Sequence, residues 1–228
     1  MQEKDRITIE PIAYAHTDFT SKFAIPRQPG IVKGLKGKIV LEKEYRKYGI
    51  FRGLESFSHI WLIWGFSENF SKEWHSTVRP PRLGGDTRIG VFASRSPFRP
   101  NHLGMSAVKL EEVRDTELIV SGIDLLDQTP IYDIKPYISY SDCIIDASEG
   151  YAKKEDLKHL DVSISNEIAS KMPSEKTDAL KEILAQDPRP AYQHDENRQY
   201  GFTFAGYEIK FFVKNNTVTV NSIEKMEK

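Results

Sequence analysis

IWLIW, residues 60–64, is the stretch on which the fold turns. Five consecutive apolar side chains, mostly β-branched or aromatic, are too short a run for a helix. They have no polar alternation, so they read as a strand buried on both faces. The whole run, extended to Phe66 through Gly65, is also far too short to span a bilayer.

Working outward, the first 145 residues read as β-rich. Ile7 and Ile9 alternate with polar residues, Lys38 to Glu42 is a short strand, and Arg88 to Ala93 is another. Ser106–Val113 and Glu117–Leu125 flank Arg114-Asp115-Thr116, the pattern of a hairpin with a three-residue loop. Pro136 to Tyr140 completes the set. Many short strands and no long helical period favour a barrel or a sandwich.

Residues 146–160, DASEGYAKKEDLKHL, read as a polar linker, and residues 161–228 as a smaller α+β domain. Ser165 is placed to cap a helix over 166–172. Pro173-Ser174 opens a second helix with Leu180, Ile183 and Leu184 on one face. It must stop near Asp187-Pro188, because the residue before proline is pushed out of the α region. Tyr207–Val213 and Thr217–Ser222 flank Asn215-Asn216, a tight hairpin turn, since asparagine tolerates positive φ.

Composition bounds the function. The chain has 228 residues, 39% hydrophobic and 29% charged, with a net charge of −1, so it is not a generally basic nucleic-acid coat. The charge is uneven. Between Thr77 and Lys109 there are six basic residues against Asp86 alone, and between Lys22 and Lys38 five against none. The β-rich half therefore carries the anion-binding surface. A single cysteine, Cys143, excludes an internal disulfide or a cysteine zinc site and fits a reducing compartment. MQEKDRITIE at the start lacks the apolar core of a signal peptide.

Four loops combine glycine or proline with polar groups: IPRQPGIVKG (25–34), FSHIW (57–61), GVFASRSPFRPN (90–101) and DLLDQTPIYDIKPYI (124–138). In the third, Pro97 and Pro100 stiffen a strand-end loop. Its Arg95 and Arg99 are planar donors suited to carboxylate or phosphate. In the fourth, Asp124 and Asp127 stand three apart, and Asp133 and Lys135 share a face if extended. No histidine stands at ligand spacing from these acids, so a metal site is not expected. G-x-G-x-x-G, a phosphate loop, G-x-S-x-G and H-E-x-x-H are all missing.

Together these segments resemble one family. GVFASRSPFRPN looks like the signature of the TrmO (TsaA-like) tRNA methyltransferases. RQPGIVKG, RGLESFSHIW, VRPPRLGG, DLLDQTPIYDIKPYI, QDPRPAY and YGFTF match further blocks in order. The resemblance implies a mainly β fold: a small barrel over residues 1–145 that binds S-adenosylmethionine, with a smaller α+β C-terminal domain. It implies a cytoplasmic homodimer that methylates N6 of threonylcarbamoyl-adenosine beside the anticodon of a threonine tRNA.

Carried over residue by residue, the donor contacts are Gln28, Pro29, Gly30, His59, Ile60, Arg95, Met105 and Asp124 to Asp127, including Leu125 and Leu126. Arg95 suits the donor's carboxylate, and Asp124 or Asp127 its amine or ribose hydroxyls. Leu125, Leu126 or Met105 suits its adenine ring. The carbamoyl group makes N6 a poor nucleophile but an easier acid, so a base is valuable; Asp133 is the candidate, oriented by Lys135. Tyr132 or Tyr137 is placed to stack on the base. Lys33, Arg79, Arg82 and Arg99 are expected phosphate contacts, with Asn101 beside them. Arg189, between two prolines, either reaches the tRNA or active site or caps the preceding helix. The readings from other classes are an RNA-binding barrel without catalysis and a methyltransferase for another substrate.

Overall fold

The computed structural model describes residues 7–153, 159–189 and 195–226. In chain order its elements are β1 (Ala13–His16), β2 (Lys36–Leu41), β3 (His59–Gly65), β4 (Thr77–Val78), β5 (Ile89–Gly90), β6 (Leu103–Val113), β7 (Glu117–Ser121) and β8 (Thr129–Pro136). There follow α1 (Ser139–Asp142), β9 (Asp161–Ser163), α2 (Asn166–Ala169), α3 (Ser174–Ala185), β10 (Tyr200–Phe204), β11 (Tyr207–Lys214) and β12 (Thr217–Lys225).

Six strands pair antiparallel in the order β1-β2-β7-β6-β3-β8, and β8 pairs back onto β1 to close a barrel. Closure removes the exposed edges that an open sheet of this length would present. Strand alternation fills the interior with Ala13, Ile39, Ile60, Leu62, Val108 and Leu118, all at 1% exposure or less. The IWLIW run is thus buried on one face: Ile60 and Leu62 point in, while Trp61 and Ile63 stay partly exposed on the outside. Between Ile63 and Trp64 the register of β3 against β8 steps past Tyr132, a bulge at the barrel rim of the kind that re-aims nearby side chains.

Other expectations from sequence need correction. Ile7 and Ile9 lie outside any strand, with Ile7 87% exposed; the first strand begins at Ala13, where alternate side chains reach the core. Arg88–Ala93 is a two-residue strand, β5, followed by a 3-10 turn over Val91–Ala93. Pro136 ends β8, and residues 139–142 turn into α1 instead of continuing the strand. Within the expected linker, residues 154–158 lie outside the described residues.

The C-terminal sheet has the order β10-β11-β12-β9, with β9 parallel to β12. Ser165 Oγ accepts from Ile168 N–H and caps α2. Asn215 and Asn216 take φ values of 48° and 62°, the left-handed pair that a two-residue hairpin needs. The sheet and α3 grip the segment running from β1 to β2. Phe19 packs on Phe204 at 5.5 Å and Phe23 on Phe202 at 5.9 Å. Asp18 pairs with Lys176, and Glu182 Oε2 accepts from Lys33 N–H at 2.9 Å. Among the described residues no helix is long and apolar enough to cross a membrane.

Candidate active site

The loop 94–99 is held by bonds within its own short span. Ser94 Oγ donates to Val91 O and accepts from Ser96 N–H, and Ser96 Oγ accepts from Phe98 N–H. Arg99 reaches back to Ser94 O at 2.8 Å, and His102 Nδ1 lies 2.7 Å from Pro97 O. Serine side chains replace a sheet ladder here, which is why a sequence that looks strand-like at GVFA curls away from one.

This loop walls a cavity of about 540 Å³ at one end of the barrel. Gln28 and Pro29 come from the β1–β2 segment, Trp64 and Phe66 from the end of β3, Met105 from the start of β6, and Asp124 from the β7–β8 turn. Gly30 stays outside but sets the first of these walls. Its N–H donates to Gly122 O at 2.8 Å, and both glycines have positive φ, 74° and 72°. A Cβ on Gly122 would stand 3.2 Å from Gly30 Cα, so the close approach of the two backbones favours glycine there.

Behind the cavity wall Trp64 Nε1 donates to Ser106 Oγ at 3.0 Å, and Ser106 Oγ donates to Asp124 Oδ1 at 2.7 Å. Ser106 is fully buried. Burial pushes the Asp124 carboxyl up to about 6, against the opposing pull of the Ser106 hydroxyl and of the Arg95 charge. Arg95 Nη1 donates to Gln28 Oε1, tying two walls together. Lys22 bridges Asn69 at 3.1 Å and Glu68 at 3.7 Å. Trp64 and Phe66 meet edge to face at 4.4 Å. A ligand with a flat ring, an anionic group and a cationic group fits this donor set.

Of the residues expected at the site, Gln28, Pro29, Arg95, Met105, Asp124, Leu125 and Leu126 meet here. Arg99, expected on RNA, lines the same cavity. The others stand elsewhere. Ile60 is enclosed in the barrel core, and His59 is at the far end of β3, beside Ser58 and 6.2 Å from the Tyr137 ring. Asp127 is a structural staple whose Oδ1 accepts from Thr17 N–H.

Asp133 and Lys135 pair at 2.8 Å on the outward face of β8, opposite Ile63 and Trp61, and Tyr137 packs on Trp61 at 5.5 Å. The structure does not bring these expected catalytic groups to the cavity, because odd-numbered positions of this strand end point outward. Lys33, Arg79 and Asn101 are exposed, and Arg82 lies 3.5 Å from Lys153 O. Arg189 is 10% exposed and gripped bidentately by Asp187, which favours the local role just past α3 over a phosphate contact.

Sequence reasoning missed Trp64, Phe66, Ser106 and Lys22. Ser106 had a signal: a polar residue at an inward position of a strand whose inward neighbours are apolar.

Comparisons with known proteins give the family of the chain. The family model of the tRNA-methyltransferase O N-terminal domain matches residues 14–143, and that of the TrmO C-terminal domain matches residues 157–226. A tRNA (adenine(37)-N6)-methyltransferase of Escherichia coli (strain K12) is 40% identical over 223 residues, covering 88% of this chain and 95% of that protein. A putative S-adenosylmethionine-dependent methyltransferase, RcsF, of Pseudomonas aeruginosa is 39% identical over 204 residues, 85% of this chain and 87% of that one. The crystal structure of TrmO from Pseudomonas aeruginosa superposes with a TM-score of 0.79 at 30% identity, covering 96% of this chain and 97% of that chain.

Proposed function

The chain belongs to the tRNA-methyltransferase O (TrmO) family, and we propose that it uses S-adenosylmethionine to methylate N6 of an adenosine in tRNA. The observation that carries this reading is the cavity at the barrel end, with a guanidinium, a carboxyl and an aromatic pair on facing walls. The finer substrate is the threonylcarbamoyl-adenosine beside the anticodon of a threonine tRNA, and the cytoplasm is where that tRNA is met.

When bound, the donor supplies a methyl group on a positively charged sulfur. Arg95, held by Gln28, is set for its carboxylate. Trp64 and Met105 with Leu125 and Leu126 give the apolar wall for its adenine. Methyl transfer is an in-line displacement, so positioning by these fixed walls supplies much of the rate. The acceptor N6–H must lose a proton, and the carbamoyl group makes that proton acidic. Asp124, a carboxyl of the cavity wall, accepts it: pushed up to about 6 by burial, it is ionised at neutral pH yet basic enough to serve. Ser106 holds its Oδ1 and so fixes the carboxyl in place.

A homodimer fits the outer face of β6, β3 and β8. Trp61, Ile63 and Tyr137 stand there beside the 54%-exposed Met105. Ile63 and Met105 also line the cavity, so a second copy seated on this face would border the site.

The deciding assay supplies labelled S-adenosylmethionine with threonine tRNA that carries or lacks the threonylcarbamoyl group, followed by nucleoside analysis. Label in the modified adenosine of the carbamoylated tRNA alone is the expected result. Label elsewhere points to another methylation substrate. No label, with RNA still bound, leaves an RNA-binding barrel and overturns the reading.

A further inference from the structure

A second cleft, of about 680 Å³, lies on the other side of the 94–99 loop. Ser94, Arg95, Pro97 and Arg99 face the first cavity, while Ser96 and Phe98 face this one. One thickness of backbone separates the two.

The cleft is built from three joined segments. β4 pairs with β5, His75 N–H donates to Phe98 O at 3.1 Å, and Val91 N–H donates to Ser76 O at 3.0 Å. The His75 and Phe98 rings stand 5.1 Å apart, and Trp74 beside them is 54% exposed. Arg88 is exposed and is tethered by a bond from its Nη1 to Thr77 Oγ1 at 3.0 Å. Arg79 is exposed and has no partner among the described residues. No acidic side chain lines the cleft.

Two guanidiniums without a counter-charge call for an anion. Three rings at the same place call for a flat partner with a π face. Hydroxyls on Ser76, Thr77 and Ser96 match the donor and acceptor pattern of a base edge. A nucleotide meets all three requirements, and only an unpaired one exposes its base face for stacking. We propose that this cleft holds the unpaired nucleotide next to the one methylated, with its base on Trp74, His75 and Phe98 and its phosphates on Arg79 and Arg88. The inference rests on the tRNA methylation reading. Consecutive nucleotides then straddle the 94–99 loop, which splays one base into each cavity and fixes which adenosine reaches Asp124. The cleft is a specificity site for the sequence flanking the target.

The test uses the full chain and short anticodon stem-loops carrying the carbamoylated adenosine. One stem-loop is natural; in two others, one immediate neighbour of the target is made abasic. Wild type should lose between about fivefold and about a hundredfold in KM when one of the two neighbours is abasic, the range set by stacking of a single base on a ring. Trp74→Ala should show the raised KM already with the natural loop and be indifferent to the abasic change. Its donor affinity, measured by calorimetry, should match wild type. Arg79→Ala and Arg88→Ala should each lower the salt slope of RNA binding by about one.

Wild-type KM in Trp74→Ala and Arg88→Ala overturns the proposal, as does an abasic penalty that Trp74→Ala still feels in full. If wild type methylates no RNA, the methylation reading fails, and anisotropy binding of the same stem-loops still decides the cleft. Circular dichroism separates a misfolded variant, and Arg88→Gln, at an exposed position, gives the same readout without removing a ring.

Discussion

Ser106 donates its hydroxyl hydrogen to Asp124 at 2.7 Å while accepting the indole N–H of Trp64 at 3.0 Å. The direction is forced, because an indole nitrogen only donates and an ionised carboxylate only accepts. A buried serine therefore links the ring wall of the cavity to its carboxyl. That carboxyl is largely enclosed, and enclosure opposes its charge more strongly than the serine bond supports it.

Asp124 should make the protein less stable as pH rises. The unfolded chain ionises such a carboxyl near its ordinary value of 3.8, the folded chain at about 6. Between those values the folded state holds more protons, so stability is greatest below the lower pKa and falls as pH climbs through the higher one, by about 3 kcal/mol in all. Asp124→Asn removes this dependence. Urea denaturation at pH 4.5 and pH 8 should show the variant gaining about 2 kcal/mol more on wild type at the higher pH. A gap that does not change with pH would show that the carboxyl titrates normally.

The same carboxyl should divide the two acidic candidates by rate. Asp124→Asn removes the proposed base from the cavity and should lower kcat by about 10²-fold or more. Asp133→Asn breaks an ion pair on the outer face of β8 that does not line the cavity. Its kcat should stay within about threefold of wild type. Single-turnover rates on carbamoylated tRNA check both, and a collapse of turnover in Asp133→Asn would return the base to the outer face.

Gly104 should resist even a methyl group. A Cβ there would stand 2.4 Å from the Trp64 ring, so Gly104→Ala must push the indole off Ser106. Overpacking of this kind costs about 1–3 kcal/mol. The broken Trp64–Ser106 bond should also weaken donor binding and shift tryptophan emission. Unchanged emission and affinity would mean that the ring has room to turn.

Much of this was legible in sequence, for physical reasons that can be named. The Asn215-Asn216 turn and the Ser165 cap follow from local chemistry that tertiary packing did not override. That Gln28, Arg95 and Asp124 come together was legible because they sit on loops at strand ends, and these loops converge on one end of the barrel. The placements that sequence did not give are those only the closed sheet decides. The facing of Asp133 and Ile60 depends on which parity of β8 and β3 points inward. Trp64 looked like one more core residue until closure put it at the rim, and Gly104 has meaning only opposite that indole. GVFA failed as a strand because Ser94 and Ser96 supply the bonds that a neighbouring strand would have given.

The C-terminal sheet should be needed for donor binding although it lines none of the cavity. The segment that carries Lys22, Gln28 and Pro29 has few barrel hydrogen bonds of its own, and it is pinned from the other side. Phe19 rests on Phe204, both fully buried; Phe23 rests on Phe202; and Ala205 N–H donates to Asp18 O at 3.0 Å. Removing the Phe204 ring should cost about 3–5 kcal/mol. It should also loosen the wall that holds Arg95 through Gln28, lowering donor affinity by about tenfold, or about 1.4 kcal/mol. Ile223→Ala is the control, since Ile223 is buried in β12 opposite Ile209, away from that segment. It should cost about 2–5 kcal/mol of stability and leave donor affinity unchanged. Calorimetry with S-adenosylmethionine well below either melting temperature reads the difference. Equal affinity in Phe204→Ala and wild type would mean that the barrel alone sets the position of Gln28.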